Sequence, residues 1–354
     1  MPSVSCLVRW SVLCGTFLLV LLAASYPDVA MSAEPAQLEV GEGKVFSIAF
    51  SPDSKHLAVG TGGQTPGTKV FDVGAKKELL NLPCERRGAG FSVAFSPDGK
   101  RLAIADYDLA VTVRQVSDGA EIASLPGDPD RKQYRQARRI AFRPDGTLLV
   151  VGYSTGDIFV WNLPEQKVQS KFNHNNEITA LAVSPDGKTV ASGTSFGLRT
   201  WNAEDGTPLL KLDQQSSGVH EVQSVAFLAD GKSVVTTDSP GLVRFFSTED
   251  GNELRSYKMP AVGATTTVYG VGINGKSVHV LGMVAGLDAK RSKSLSEGIV
   301  TIDSTSATPT MFLSAVSSRV LAVSPNGKRA ALATGDSGDP VFLYDLTSAF
   351  KLKP

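Results

Sequence analysis

The chain has 354 residues, 35 Lys plus Arg against 35 Asp plus Glu, and 42% hydrophobic residues. Zero net charge gives no reason to expect nucleic acid or an anionic membrane surface as partner, and the composition is that of an ordinary globular protein. With 34 Gly and 19 Pro, many short strands joined by tight turns are favoured over long helices.

The N-terminus comes first. Arg9 precedes an apolar run, Trp10 to Ala24, and a small-residue stretch follows, ending Ala30-Met31-Ser32-Ala33. That order predicts a secretory signal peptide over residues 1–33, cleaved after Ser32 or Ala33, and an exported mature domain over 34–354. The apolar run is short of the ~20 residues that span a bilayer, so no stable membrane insertion is expected after cleavage. Cys6 and Cys14 leave with the signal, so Cys84 is the single thiol of the mature chain and no intramolecular disulfide is expected.

From Val45 onward the chain repeats. Ser51-Pro52-Asp53-Ser54 is followed by Ser96-Pro97-Asp98-Gly99, Arg143-Pro144-Asp145-Gly146 and Ser184-Pro185-Asp186-Gly187. Weaker copies stand at Leu228-Ala229-Asp230-Gly231, Gly272-Ile273-Asn274-Gly275 and Ser324-Pro325-Asn326-Gly327. The steps are 45, 47, 41, 44, 44 and 52 residues, the period of four-stranded propeller blades. Proline presets φ, Asp suits the next turn position, and Gly accepts φ > 0. Apolar runs lead into and out of each turn, as in Ser92–Phe95 and Arg101–Ala105. A third strand follows in every unit, such as Ile158–Trp161 and Val341–Tyr344. Asp118-Gly119, Asp205-Gly206 and Asp250-Gly251 turn the chain into a fourth. An all-β, seven-bladed propeller is predicted, with four antiparallel strands per blade. The last unit lacks an outer strand before Pro354, and Ala36–Val40 is expected to supply it and close the ring.

These phrases, with Trp161-Asn162, Trp201-Asn202, Phe71-Asp72 and Tyr344-Asp345 after the third strands, resemble the WD40-repeat propellers, in a degenerate, bacterial, exported form. The resemblance covers Val45 to Leu346. It places His174 at the family's Gly-His position and Asp108 at its structural Asp position, with most units lacking these residues. It implies a rigid platform that binds proteins.

Motifs of chemistry are outweighed by the repeat. Gly152-Tyr153-Ser154-Thr155-Gly156 and Gly193-Thr194-Ser195-Phe196-Gly197 match G-x-S-x-G, but they lie 41 residues apart, one repeat step, and read as turns between strands. Gly335-Asp336-Ser337-Gly338-Asp339-Pro340 resembles a serine-protease string in a similar place, without a scaffold for a triad. No His/Cys spacing suggests a metal, and Asp106, Asp108, Asp238, Asp336 and Asp339 are explained as turn residues. No cofactor is expected.

Two segments exceed the repeat. Asp128 to Arg139 and the equivalent loop one blade earlier carry Arg86, Arg87, Arg131, Lys132, Arg135, Arg138 and Arg139. Loops from an outer strand to the next inner strand share a face, so these seven form the candidate partner-binding patch, suited to a protein or an anionic polymer. Gly282 to Gly298 reads as a mobile loop. The expected function is an exported, non-enzymatic interaction scaffold, monomeric as a ring. The alternative is a propeller enzyme with a hydrolase or lyase site in the central channel, where the sequence places Ala49, Ala94, Ala141, Ala182 and Ala226.

Overall fold

The repeat turn builds its own hydrogen-bond cage. Ser51 Oγ donates to Asp53 Oδ1 at 2.6 Å and accepts from the His56 amide at 2.9 Å, while the Lys55 amide donates to Asp53 Oδ1 at 3.0 Å. The same three bonds recur at Ser184, Asp186, Lys188 and Thr189, and again with Asn326 beside Ser324. In the third unit Arg143 replaces the serine and holds Asp145 through Nε and NH2, at 2.9 and 2.6 Å. Gly99, Gly146 and Gly187 close their turns at φ of 71, 71 and 73°, where a Cβ would be strained. Ser54 takes φ 63° in the first unit, a conformation that costs a non-glycine residue about 1–2 kcal/mol.

The computed structural model describes residues 35–63, 66–84, 92–106, 111–126, 136–213, 218–219, 221–238, 241–258, 266–274, 277–287, 293–303, 310–314, 320–334 and 336–347. The predicted signal peptide lies outside them. Among the described residues no helix is long and apolar enough to cross a membrane.

Strand β1 is Ala36–Leu38. Blade one contains β2 (Gly43–Phe50), β3 (His56–Gly63), β4 (Gly67–Asp72) and β5 (Lys77–Pro83). Blade two contains β6 (Ser92–Phe95), β7 (Arg101–Ala105), β8 (Val111–Gln115) and β9 (Glu121–Leu125). Blade three contains β10 (Ala137–Phe142), β11 (Leu148–Tyr153), β12 (Asp157–Asn162) and β13 (Lys167–Asn173). Blade four contains β14 (Ala180–Val183), β15 (Thr189–Thr194), β16 (Gly197–Asn202) and β17 (Pro208–Asp213). Blade five contains β18 (Val222–Phe227), β19 (Ser233–Asp238), β20 (Leu242–Ser247) and β21 (Glu253–Lys258). Blade six contains β22 (Thr266–Asn274), β23 (Ser277–Leu287), β24 (Lys293–Asp303) and β25 (Thr310–Ser314). The chain then forms β26 (Val320–Val323), β27 (Arg329–Ala333) and β28 (Val341–Asp345).

The seven-bladed expectation is corrected in its count of self-contained blades. Six sheets are blades, each written by four consecutive strands. The seventh sheet is a composite of order β1-β28-β27-β26. Its repeat unit supplies three strands only, and β1 pairs antiparallel with β28, Ala36 opposite Leu343 and Leu38 opposite Val341. The composite is tied to blade one by Arg329 NH1 donating to Val73 O at 2.8 Å and the Asn326 amide donating to Ser54 Oγ at 3.2 Å.

A second correction concerns Gly282 to Gly298. Its described parts, 282–287 and 293–298, are strand rather than loop, with β23 and β24 paired from Ser277–Asp303 to Leu287–Lys293. Antiparallel pairing of two extended segments satisfies the backbone groups that an open loop would leave to water.

The core lies between sheets. Leu38 and Leu343 of the composite pack with Val45, Leu57 and Phe71 of blade one. Ala105 and Val113 of blade two pack with Leu149, Tyr153 and Phe159 of blade three. Val150, Ile158 and Phe172 pack with Val190 and Trp201 across the next boundary. Burial of this kind contributes roughly 25 cal/mol per Å² of apolar surface. The innermost strands contact one another in succession and β26 contacts β2, which closes the ring. Ala49, Ala94, Ala141, Ala182, Ala226 and Ala322 occupy matching places on them and are each partly exposed.

Candidate interaction surface on the loop face

One end of the sheets carries both the turns from second to third strands and the connections from one blade to the next. At blade three these two loops are bonded together. The Gln136 amide donates to Ser154 Oγ at 3.1 Å, and the Ser154 amide donates to Gln136 O at 2.9 Å. The His174 amide donates to Gly156 O at 2.8 Å, laying the 174–179 connection across the 154–156 turn. Gly156 is required there: it has φ 85°, and a Cβ would stand 2.6 Å from Asn176 N.

Of the seven predicted cations, Arg138 and Arg139 are described; Arg86, Arg87, Arg131, Lys132 and Arg135 lie outside the described residues. Arg138 and Arg139 open β10 at a bulge between Ala137 and Arg139. Arg138 Nε lies 2.8 Å from Glu177 Oε1 in the connection to blade four, so this charge is already partnered. Arg139 is exposed, and its NH1 donates to Arg138 O at 2.8 Å. Desolvation, then the neighbouring Arg138 charge, hold its pKa below the ordinary arginine value, and Glu177 offsets this in part.

Beyond Glu177 the same connection borders a groove of about 220 Å³. Its walls include Asn175, Asn176, Phe196, Arg199, Lys211 and Asp213. Gly197 lets β16 and β17 approach closely at the groove's edge, since a Cβ there would collide with Leu212 O. Phe196 at the turn is 61% exposed, the most exposed large apolar side chain among the described residues. Below it, His174 is buried, with Nδ1 3.0 Å from Ser192 Oγ, and Trp201 Nε1 donates to that Oγ at 2.8 Å. Burial first, and the Arg199 charge second, lower the His174 pKa to about 3, so the ring is neutral near pH 7.

The serine motifs take no catalytic geometry. Both G-x-S-x-G copies are turns between antiparallel strands, β11 to β12 and β15 to β16. Ser337 Oγ donates to Glu42 O, a backbone partner across the ring closure. Asp238 is buried against Arg244, Nε to Oδ2 3.3 Å, and Asp339 accepts from Thr334 Oγ1 at 2.8 Å. Among the described residues no three His, Cys, Asp or Glu gather as a metal site.

Sequence reasoning passed over Glu177, Phe196, Arg199 and Lys211. Phe196 carried a signal, an aromatic residue at a turn position where polar residues are the rule.

Comparison with known proteins agrees with this architecture. Residues 36–65 match the WD domain, G-beta repeat family, and residues 93–268 match the nucleolar protein 10-like N-terminal domain, a β-propeller. Together these support a WD40-type propeller. Telomerase protein component 1 of Rattus norvegicus is 24% identical over 63% of this chain and 8% of its own length. Small ribosomal subunit protein RACK1y of Oryza sativa is 38% identical over 21% of this chain and 23% of its own length. Guanine nucleotide-exchange factor SEC12 of Rattus norvegicus is 31% identical over 31% of this chain and 26% of its own length. The chain thus spans about a quarter or less of these relatives. They are eukaryotic and lend no support to the bacterial type expected from sequence. A chain of a mitotic checkpoint complex crystal structure superposes with TM-score 0.71, covering 90% of this chain and 93% of its own, at 15% identity, which shows a shared fold.

Proposed function

We propose that the protein is a non-enzymatic interaction scaffold that holds a protein partner against its loop face at blades three and four. The observation that carries this reading is the exposed Phe196 on the same end of the sheets as the Arg138–Glu177 pair and the exposed Arg139. An aromatic anchor flanked by arginine is the side-chain chemistry enriched in protein–protein interfaces. The β-sheets beneath hold these groups in place before binding, which lowers the ordering cost of association. The WD40-type relatives favour the same class of role. We further propose that the scaffold acts after export, directed by residues 1–33; cleavage after Ser32 or Ala33 leaves β1 available to complete the composite sheet.

The test is affinity capture from the protein's own extract with wild type and Arg139→Glu, each first checked for an unchanged melting profile. The variant is expected to lose the captured partner, and loss of the wild-type partner at high salt would agree. A partner retained by Arg139→Glu at both salt levels would overturn the assignment of this face.

A further inference from the structure

The groove beside Phe196 contains a charge without a counter-charge. Arg199 on β16 is opposite Lys211 on β17 in the strand register. Lys211 Nζ is neutralised by Asp213 Oδ2 at 2.9 Å. Arg199 has no carboxylate partner among the described residues, and its guanidinium carbon stands 5.8 Å from the centroid of the Trp201 ring. It is half-buried rather than free in solvent. The imidazole in the groove, His174, is buried and neutral near pH 7, so it contributes no competing charge. The groove therefore presents one uncompensated, aromatic-backed guanidinium, amide groups at Asn175 and Asn176, and an apolar lip at Phe196.

Arginine in this setting favours a carboxylate, through paired, charge-assisted hydrogen bonds that a neutral amide cannot match. The apolar lip selects for a neighbouring aromatic or aliphatic side chain, and the volume suits one side chain with its flanking backbone. We propose that this groove docks an acidic, extended peptide segment of the partner, a Glu or Asp on Arg199 and the adjoining apolar side chain on Phe196. The proposal deepens the scaffold reading and rests on it, but it uses residues that the capture experiment leaves untouched.

The probe is a fluorescein-labelled Glu-Phe-Glu-Glu peptide followed by polarisation, with Gln-Phe-Gln-Gln as its uncharged counterpart. The acidic peptide is expected to bind about tenfold more tightly than the amide one, and Arg199→Gln to remove that preference. Phe196→Ala is expected to weaken both peptides about fivefold, since it removes apolar contact without touching charge. Leu254→Ser, at an exposed position on β21 outside the groove, serves as a folded control that keeps the preference. Equal binding of the two peptides, or a preference that survives Arg199→Gln, would overturn the proposal. Displacement of the peptide by inorganic phosphate alone would also overturn it, in favour of a free-anion site. If wild type ignores the acidic peptide while Arg139-dependent capture persists, the groove assignment fails and the scaffold reading stands.

Discussion

His174, Ser192 and Trp201 form a small buried network whose energetics depend on one protonation state. Ser192 Oγ accepts from the Trp201 indole and lies within bonding distance of His174 Nδ1, an arrangement that suits a neutral ring accepting the serine hydroxyl. In the unfolded chain a histidine titrates near 6.5; in this site its pKa is lowered to about 3, first by burial. Between those values the unfolded chain binds the extra proton, so the stability contribution is complete above pH 6.5 and is lost as pH falls towards 3. The slope is at most about 1.4 kcal/mol per pH unit. Comparing the unfolding free energies of wild type and His174→Gln, we expect the difference between them to shift progressively as pH falls from 6.5 to 4. A difference independent of pH over that window would contradict the burial of a neutral ring. The aspartates of the repeat turns are held below the ordinary carboxylate value, Asp53 and Asp186 first by their serine hydroxyls, and are common to both proteins, so they drop out of the difference. The His174 position was legible from the repeat, whereas the completeness of its network was not. Trp161 stands where Trp201 does, yet Val151 occupies the strand position of Ser192, and among the described residues the Trp161 indole has no hydrogen-bond partner. One side chain on a neighbouring strand decides the network, and the motif beside the tryptophan does not report it.

At the scale of elements, β1 is the shortest strand among the described residues and the one whose loss would open a sheet edge. Its grip comes from Leu38, and from Val40 just beyond it, both buried against the composite sheet and blade one. Leu38→Ala removes a fully buried side chain, and we expect a loss of about 3 kcal/mol in chemical denaturation. A loss under about 1 kcal/mol would mean that β1 does not hold the ring closed. This strand was readable from the sequence as an apolar-alternating segment left over from the repeat. The β23–β24 hairpin was not, because its Lys, Ser and Gly content follows the composition of a loop. Its strand character comes from mutual backbone pairing, which the side-chain pattern encodes weakly. The candidate surface divides in the same way. Arg138 and Arg139 were found by charge counting, but the Glu177 that neutralises Arg138 and the groove beyond it depend on two connections crossing in space.

For the whole molecule, six self-contained blades and one composite sheet make a ring with two unlike ends. One end carries the repeat turns, whose aspartates are spent on local hydrogen bonds. The other carries the connections and the Phe196 turn. Among the described residues the outer wall shows its own exposed apolar side chains, Leu79, Ile122, Val168, Leu209 and Leu254, one on the fourth strand of each of five blades. A partner could in physical terms meet either surface, and the central claim is that it meets the loop face. The direct measurement is site-specific photocrosslinking, with p-benzoylphenylalanine placed at position 196 in one protein and at position 254 in another. A partner adduct is expected from position 196 and none from position 254. An adduct from position 254 alone would contradict it and move the interaction to the outer wall.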